Sequence, residues 1–290
     1  MTTSSEVGRL LPAQRPAGVL RRVLRRRGAA VAAGLFVVIV LVAAIGPLVA
    51  GDPNAFDALA RLQPPSPGHP FGTDNLGRDV AVRVLYGGQA SLLVGASVSA
   101  SSVAIGALIG VAAALFHPVD LVVMRIVDGI MSFPVIVLAL SMVAILGAGL
   151  GTVITALTIV LVPSVARIVR GRALVVSRLP MIDAARMVGA GRWRIMTRYV
   201  LAHCVTPVLV QAAVVFTTAV LIESALSFIG AGLPPDVPSW GASLAESRNY
   251  LQSAWWMWLF PGLALLATVL CANVVIDAVR DVLDPHGERS

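Results

Sequence analysis

Apolar residues in this chain come in runs whose length suits one solvent, a lipid bilayer. A helix crosses the hydrocarbon core with about 20 mostly apolar residues. Six stretches meet that need: Gly28–Ala50, Ser91–Phe116, Ile126–Leu146, Thr152–Val169, Val205–Ile229 and Met257–Val275. The pattern predicts an all-α integral membrane protein with six transmembrane helices. Polar residues gather between the runs, in a proline-rich loop over 51–90, an arginine-laden turn over 178–203 and a second long loop over 230–256. The predicted organisation is a tail over 1–27, a first helix over 28–50, an external loop over 51–90, a five-helix core over 91–285 containing the turn 178–203, and a tail over 286–290.

Composition adds an exclusion. Of 290 residues 57% are hydrophobic and 13% charged, against roughly 25% charged in a soluble domain, and the mean hydropathy is +0.87. All 22 basic residues are arginine. A Walker A phosphate loop needs its lysine, and so does Schiff-base catalysis, so neither chemistry belongs to this chain. Cys204 and Cys271 lack CxxC spacing and read as small buried helix residues rather than as a disulfide or metal pair.

Charge sets the expected orientation. With the N-terminus inside, eighteen arginines fall on the cytoplasmic side and only Arg61, Arg78, Arg83 and Arg248 outside. By the positive-inside rule both termini are cytoplasmic, and the net charge of +7 reports topology rather than nucleic-acid binding. The first run follows Arg-Arg-Val-Leu-Arg-Arg-Arg and exceeds the apolar core of about 7–15 residues in a signal peptide, so it reads as an anchor. Trp255, Trp256 and Trp258 form an aromatic belt at the outer end of the sixth span.

Several segments carry candidate mechanism. In Arg178–His203, Leu179-Pro180 ends the fourth helix and Asp183 falls in the first turn of a new one, at the positive end of its dipole. Ala184 and Ala185 keep that helix slim, Gly189 and Gly191 permit a turn, and Arg192, Arg194 and Arg198 face water, a partner or lipid headgroups. Two readings stay open on the residues alone: a docking element, or an amphipathic loop on the membrane surface. In the outer loop Gly72, Gly77 and Gly87-Gly88 supply turns, Asp74 and Asn75 start them, and Arg78 and Asp79 pair locally or with a partner at little net energy. His69, Asp74 and Asp79 make only a weak metal set.

Glu223 is an acid well inside a span, which is costly without a partner or water. It lies about 9 Å from the outer end of its helix, shallow enough for water. Substrate contact on a translocation path, interhelical hydrogen bonding and a protonated structural role are all open. Asp128 and Arg125 read as a local i,i+3 pair. Gly106 and Gly110 form a GxxxG whose default role is helix packing. Met124, Met131, Met142 and Met187 read as packing residues.

The turn resembles the EAA loop of ABC importer permeases, with consensus EAA, three residues, glycine, then a hydrophobic-x-Leu-Pro end about ten residues on. Asp183, Ala184, Ala185 and Gly189 hold the core positions and Tyr199-Val200-Leu201-Ala202 closes the motif. Asp183 replaces glutamate, and Ala202 replaces proline, so the helix is expected to run on into the fifth span. His69–Gly95, with Gly72, Thr73, Asp74, Gly77, Arg78 and Asp79, is similar to dipeptide and oligopeptide permeases of the C type. Ser224–Leu251 and Ala272–Pro285 follow the same family, except that Ile276 and Ala278 stand where glycine is usual. Glutamate is common there at the position of Glu223. The resemblance covers roughly residues 20 to 285.

The resemblance implies a type I importer permease fold with a cytoplasmic coupling helix, whose contact residues are Asp183, Ala184, Ala185, Arg186, Gly189 and Arg192. It implies a bacterial cytoplasmic membrane and a machine importing di- and oligopeptides. The implied partners are a second homologous permease, two ATP-binding cassette ATPases carrying the Mg-ATP, an extracytoplasmic peptide-binding (lipo)protein and membrane lipids, with no nucleic acid. This chain is then a non-catalytic permease with no cofactor of its own. Alternatives keep the machine but change the cargo to a nickel chelate, haem or glutathione. Others make the chain a stand-alone secondary transporter or channel, or a membrane enzyme, for which His69, His117, His203 and His286 are too scattered.

Overall fold

The computed structural model describes residues 26–283; the tail over 286–290 and all but the end of the tail over 1–27 lie outside them. Helices dominate, and the only β pairing among the described residues is an isolated bridge between Thr73 and Asp79. The long helices are α1 (Arg27–Val49), α2 (Val80–Leu115), α3 (His117–Met131), α4 (Val135–Leu146) and α5 (Leu150–Ser177). After them come α6 (Pro180–Met187), a π-bulged segment from Arg192–Arg194 through Ile195–Val200 to Leu201–His203, α7 (Val205–Ile229), α8 (Trp240–Ser247) and α9 (Trp256–Leu283). Among the described residues five helices are long and apolar enough to cross a membrane, and six spans result if α3 and α4 count as one.

The centre of the bundle is the pairing of α2 with α5. Val94, Val98 and Val111 meet Val153, Leu157, Val165 and Val169 there, with Ile222 and Leu226 of α7 closing the cluster. Gly106 and Gly110 make this approach possible. A Cβ on Gly110 would stand 2.5 Å from the Ala166 carbonyl oxygen, and one on Gly106 2.6 Å from the Val165 Cβ. The GxxxG is therefore an internal packing device.

Two expectations are corrected. Residues 80–90, assigned to the external loop, are helical. Asp79 caps α2 by accepting from the backbone N–H groups of Ala81 at 2.7 Å and Val82 at 3.1 Å. Gly87 and Gly88 make no turn; they let the helix touch the Ser239 backbone and the Trp240 ring. The third span, expected as one helix over Ile126–Leu146, is broken by 92° between α3 and α4. Pro134 is the cause: it bars the helical region to the preceding residue and offers no N–H.

Tertiary ion pairs also displace local ones. Asp128 pairs with Arg167 of α5 at 2.6 Å, not with Arg125, and Arg170 reaches Asp120 with two hydrogen bonds of 2.5 and 2.7 Å. At the same end of the fold Arg26 meets Asp281 at 2.5 Å, and Ala29 packs on Ala278. Both helix ends therefore lie on one side of the bundle.

Candidate coupling surface and outer ion cluster

Between α5 and α7 the chain makes a slim protruding elbow. Pro180 opens α6 at the position where a missing N–H costs nothing, and Asp183 sits in the first turn. Ile182 and Ala185 are buried and hold α6 to the bundle. Asp183, Ala184 and Arg186 face outward, and Arg186 pairs with Asp183 at 3.1 Å, a contact worth little in water. Gly189 ends the helix at φ +84°, the left-handed conformation that favours glycine. Gly191 adopts φ −65° and needs no such freedom.

Beyond the turn Arg192, Arg194 and Arg198 are exposed. Sequence reasoning missed the apolar part of this surface. Met187, read as a packing residue, is exposed together with Val188 and Trp193. Three large apolar side chains amid arginines were the available signal. The segment then runs on through the π turn, and only Cys204 separates it from α7.

At the opposite end, the loop over 51–79 and the segment over 230–256 fold onto each other. Gly72 and Gly77 take positive φ, and the Thr73 hydroxyl bonds the Ala60 carbonyl oxygen. Trp256 is buried and its Nε1 donates to the Thr73 carbonyl oxygen at 2.9 Å. Trp256 thus leaves the aromatic belt to the exposed Trp255 and Trp258.

The centre of this cap is a ring of four charges. Asp74 Oδ1 accepts from the backbone N–H groups of Leu76 and Arg78 at 2.8 and 2.9 Å, and its Oδ2 accepts from Arg78 Nε at 2.5 Å. Arg78 Nη2 and Arg83 Nη2 then converge on the two oxygens of Glu246 at 2.7 and 3.0 Å. Arg78 is therefore buried and pairs with Asp74 and Glu246 rather than with Asp79 at the surface. Asp79 is spent on the α2 cap and on His69 Nδ1 at 2.8 Å. Glu246 was missed because nothing in a sequence links it to arginines more than 160 positions away. Among the described residues no group of three or more His, Cys, Asp or Glu is placed to hold a metal.

Glu223 is fully buried, its side chain 0% exposed. Its Oε2 accepts from Ser91 of α2 at 2.9 Å and its Oε1 from Ser227 at 2.8 Å, with Ser224 at 3.4 Å. The expectation that water reaches it is corrected: serines do. Interhelical hydrogen bonding is the reading this geometry favours. Glu223→Gln, which keeps hydrogen-bonding partners for the serines, should leave the KM for cargo unchanged. Glu223→Leu should lower stability by about 1–3 kcal/mol. A raised KM in Glu223→Gln with unchanged thermal unfolding would return Glu223 to the path.

The result is an all-helical bundle with an exposed, glycine-closed elbow at one end and a charged, loop-built lid at the other. The chain belongs to the family of binding-protein-dependent transport system inner membrane components, which it matches over residues 103–288. Residues 17–65 match the N-terminal transmembrane domain of oligopeptide transport permease C. A Brucella suis protein named as a peptide transport system permease is 46% identical over 267 residues, covering 92% of this chain and 90% of that one. A dipeptide transport system permease protein of Alkalihalophilus pseudofirmus is 38% identical, covering 85% and 82%. A glutathione transport system permease protein of Pectobacterium atrosepticum is 38% identical, covering 91% and 89%. Among solved structures, an inward-facing MetNI methionine ABC transporter aligns with TM-score 0.51 and 23% identity over 71% of this chain and 97% of that one, which speaks to the fold.

Proposed function

We propose that this chain is the membrane-spanning permease of an ATP-driven importer that moves di- and oligopeptides inward across a bacterial cytoplasmic membrane. The observation that carries this reading is the exposed elbow: a short helix opened by Pro180 and bearing Asp183 and Arg186, closed by Gly189 in a left-handed turn, in a chain whose relatives are named peptide permeases. The elbow and both termini lie on the cytoplasmic side, as the arginine distribution favours. Asp183, Ala184, Ala185, Arg186, Gly189 and Arg192 form the coupling surface. They dock on one of two ATP-binding cassette ATPases, which hold and hydrolyse Mg-ATP. A second, homologous permease completes the membrane body, and an extracytoplasmic peptide-binding (lipo)protein delivers cargo to the outer lid, where Gly72, Thr73, Asp74, Gly77, Arg78 and Asp79 keep its shape.

In this scheme closure of the ATPases moves the elbow, and the rigid α2–α5 core carries that motion to the outer end. The path thus opens alternately to the two sides. The chain supplies path and lever, and the partner ATPases supply the chemistry.

Replacing Asp183 by Ala together with Gly189 by Val should leave the chain inserted and the ATPases active while uptake falls at least tenfold. Uptake at the unaltered rate would refute the coupling assignment. Cargo is tested separately, by uptake of labelled di-, tri- and longer peptides in cells lacking and regaining this chain. Peptide uptake that ignores the chain would point to another solute.

A further inference from the structure

With the α4–α5 turn set at the outer interface, the length of α4 puts the corner between α3 and α4 at membrane depth. The α4 helix has 12 residues, so the corner is about 18 Å from the α4–α5 turn at a rise of about 1.5 Å per residue. That depth is inside a hydrocarbon core of about 30 Å. Ser132, Phe133 and Pro134 there are all exposed. Non-helical backbone in the hydrocarbon region is tolerated where it is buried in protein or lines water. These residues are not buried by their own chain.

A charged pair stands one turn from that corner. Asp128 and Arg167 meet at 2.6 Å while their side chains stay 57% and 51% exposed. Arg167 is about 25 Å along α5 from Leu150, within or at the edge of the same core. Charges at this depth face a bundle interior or a water-filled cavity rather than lipid.

Helix geometry explains how both features reach one surface. Asp120 meets Arg170 and Asp128 meets Arg167. Eight residues along α3, about 12 Å, thus correspond to only three along α5, about 4.5 Å. The α3 helix crosses α5 instead of running beside it, and it carries the corner out over the face of the bundle.

The pair also has capacity to spare. Its hydrogen bond uses Arg167 Nη2 and Asp128 Oδ1. A guanidinium has five donors and a carboxylate two acceptor oxygens, so donors on Arg167 and Oδ2 on Asp128 are open to a ligand bearing both charges. Arg125, also exposed on α3, adds a positive charge nearby.

We infer that the α3–α4 corner and the Asp128–Arg167 pair line the water-filled path of this transporter, and that the pair binds the charged ends of a passing peptide. Arg167 takes the terminal carboxylate and Asp128 the terminal ammonium. This rests on the peptide reading proposed above.

Two measurements on the complete transporter in membrane vesicles test it. Ser132→Cys should react with a charged, membrane-impermeant thiol reagent, against the unaltered chain as background, since Cys204 and Cys271 are buried. Peptide supplied with ATP should slow that reaction at least threefold. Failure to react from either side of the membrane would overturn the path assignment, and so would a rate indifferent to a peptide that is being transported. Arg167→Gln should raise the KM for a free dipeptide about tenfold with kcat little changed, the loss expected of one charge-assisted hydrogen bond. A fall in kcat alone would make the pair structural and overturn its role in reading peptide ends. Absence of peptide uptake by the unaltered complex would instead remove the peptide reading and leave the labelling result standing.

Discussion

Asp74→Ala should destabilise the purified protein by about 3–5 kcal/mol, the cost of stripping one partner from a buried charge network. The side chains of Arg78 and Arg83 are 9% and 3% exposed, so neither can turn to water when Asp74 is lost. Asp74 also accepts two backbone N–H groups, which leaves the turn before α2 without its organiser. Glu246 would then face two arginines alone. Glu246→Ala should cost less, because the Glu246 side chain is 31% exposed and water can replace part of what it does. Denaturant unfolding in detergent gives the comparison. A double-mutant cycle with Arg78→Ala should show coupling well above the few tenths of a kcal/mol expected of independent sites. An Asp74→Ala protein within about 0.5 kcal/mol of the parent would mean the ring contributes nothing.

The second large effect is predicted at the α2–α5 seam. Gly106→Leu with Gly110→Leu should abolish a stably folded, assembled chain. At Gly110 a Cβ meets backbone atoms, the Ala166 oxygen at 2.5 Å and the Arg170 nitrogen at 2.9 Å, and backbone in mid-helix cannot step aside. Overpacking one site costs about 1–3 kcal/mol; here two sites one turn apart push the same helices apart. Gly171, on α5 near this seam, has nothing within 4 Å of a Cβ. Gly171→Ala should therefore be neutral or gain up to about 1 kcal/mol from reduced backbone freedom. Recovery of folded complex after detergent extraction separates the cases. A double leucine variant that assembles normally would show that the seam is looser than its distances imply.

What the sequence disclosed follows the physics of each signal. Runs of apolar residues are a property of single helices in lipid, so the span Val205–Ile229 coincides with α7 as drawn from the sequence. Turn chemistry is local too, hence Pro180, Asp183 in a first turn and a positive φ at Gly189 were legible. Sites built from distant segments were not. Asp128 sits three residues from Arg125, yet the partner with which it forms its ion pair is Arg167 on another helix. Gly87-Gly88 looks like a turn until Trp240 arrives to fill the space. Glu223 looked wet because helix rise measures depth and says nothing of the serines that close around it. Hydropathy also passed over Ser132-Phe133-Pro134, since one proline bends a helix without altering the average polarity of a 20-residue window.

The contact between Arg26 and Asp281 and the packing of Ala29 on Ala278 bear on how the chain is made. The outer half of α1 finds its neighbour as soon as α2 is inserted, with Gly46 against Leu85 and Pro47 accepting from Tyr86. The other half has to wait for α9 to leave the ribosome. Until then its apolar residues stand in lipid at no penalty, while Arg26 has no carboxylate to meet. A nascent chain halted before residue 256 should therefore hold its first helix by one end, and the arrival of α9 should act as the final clasp.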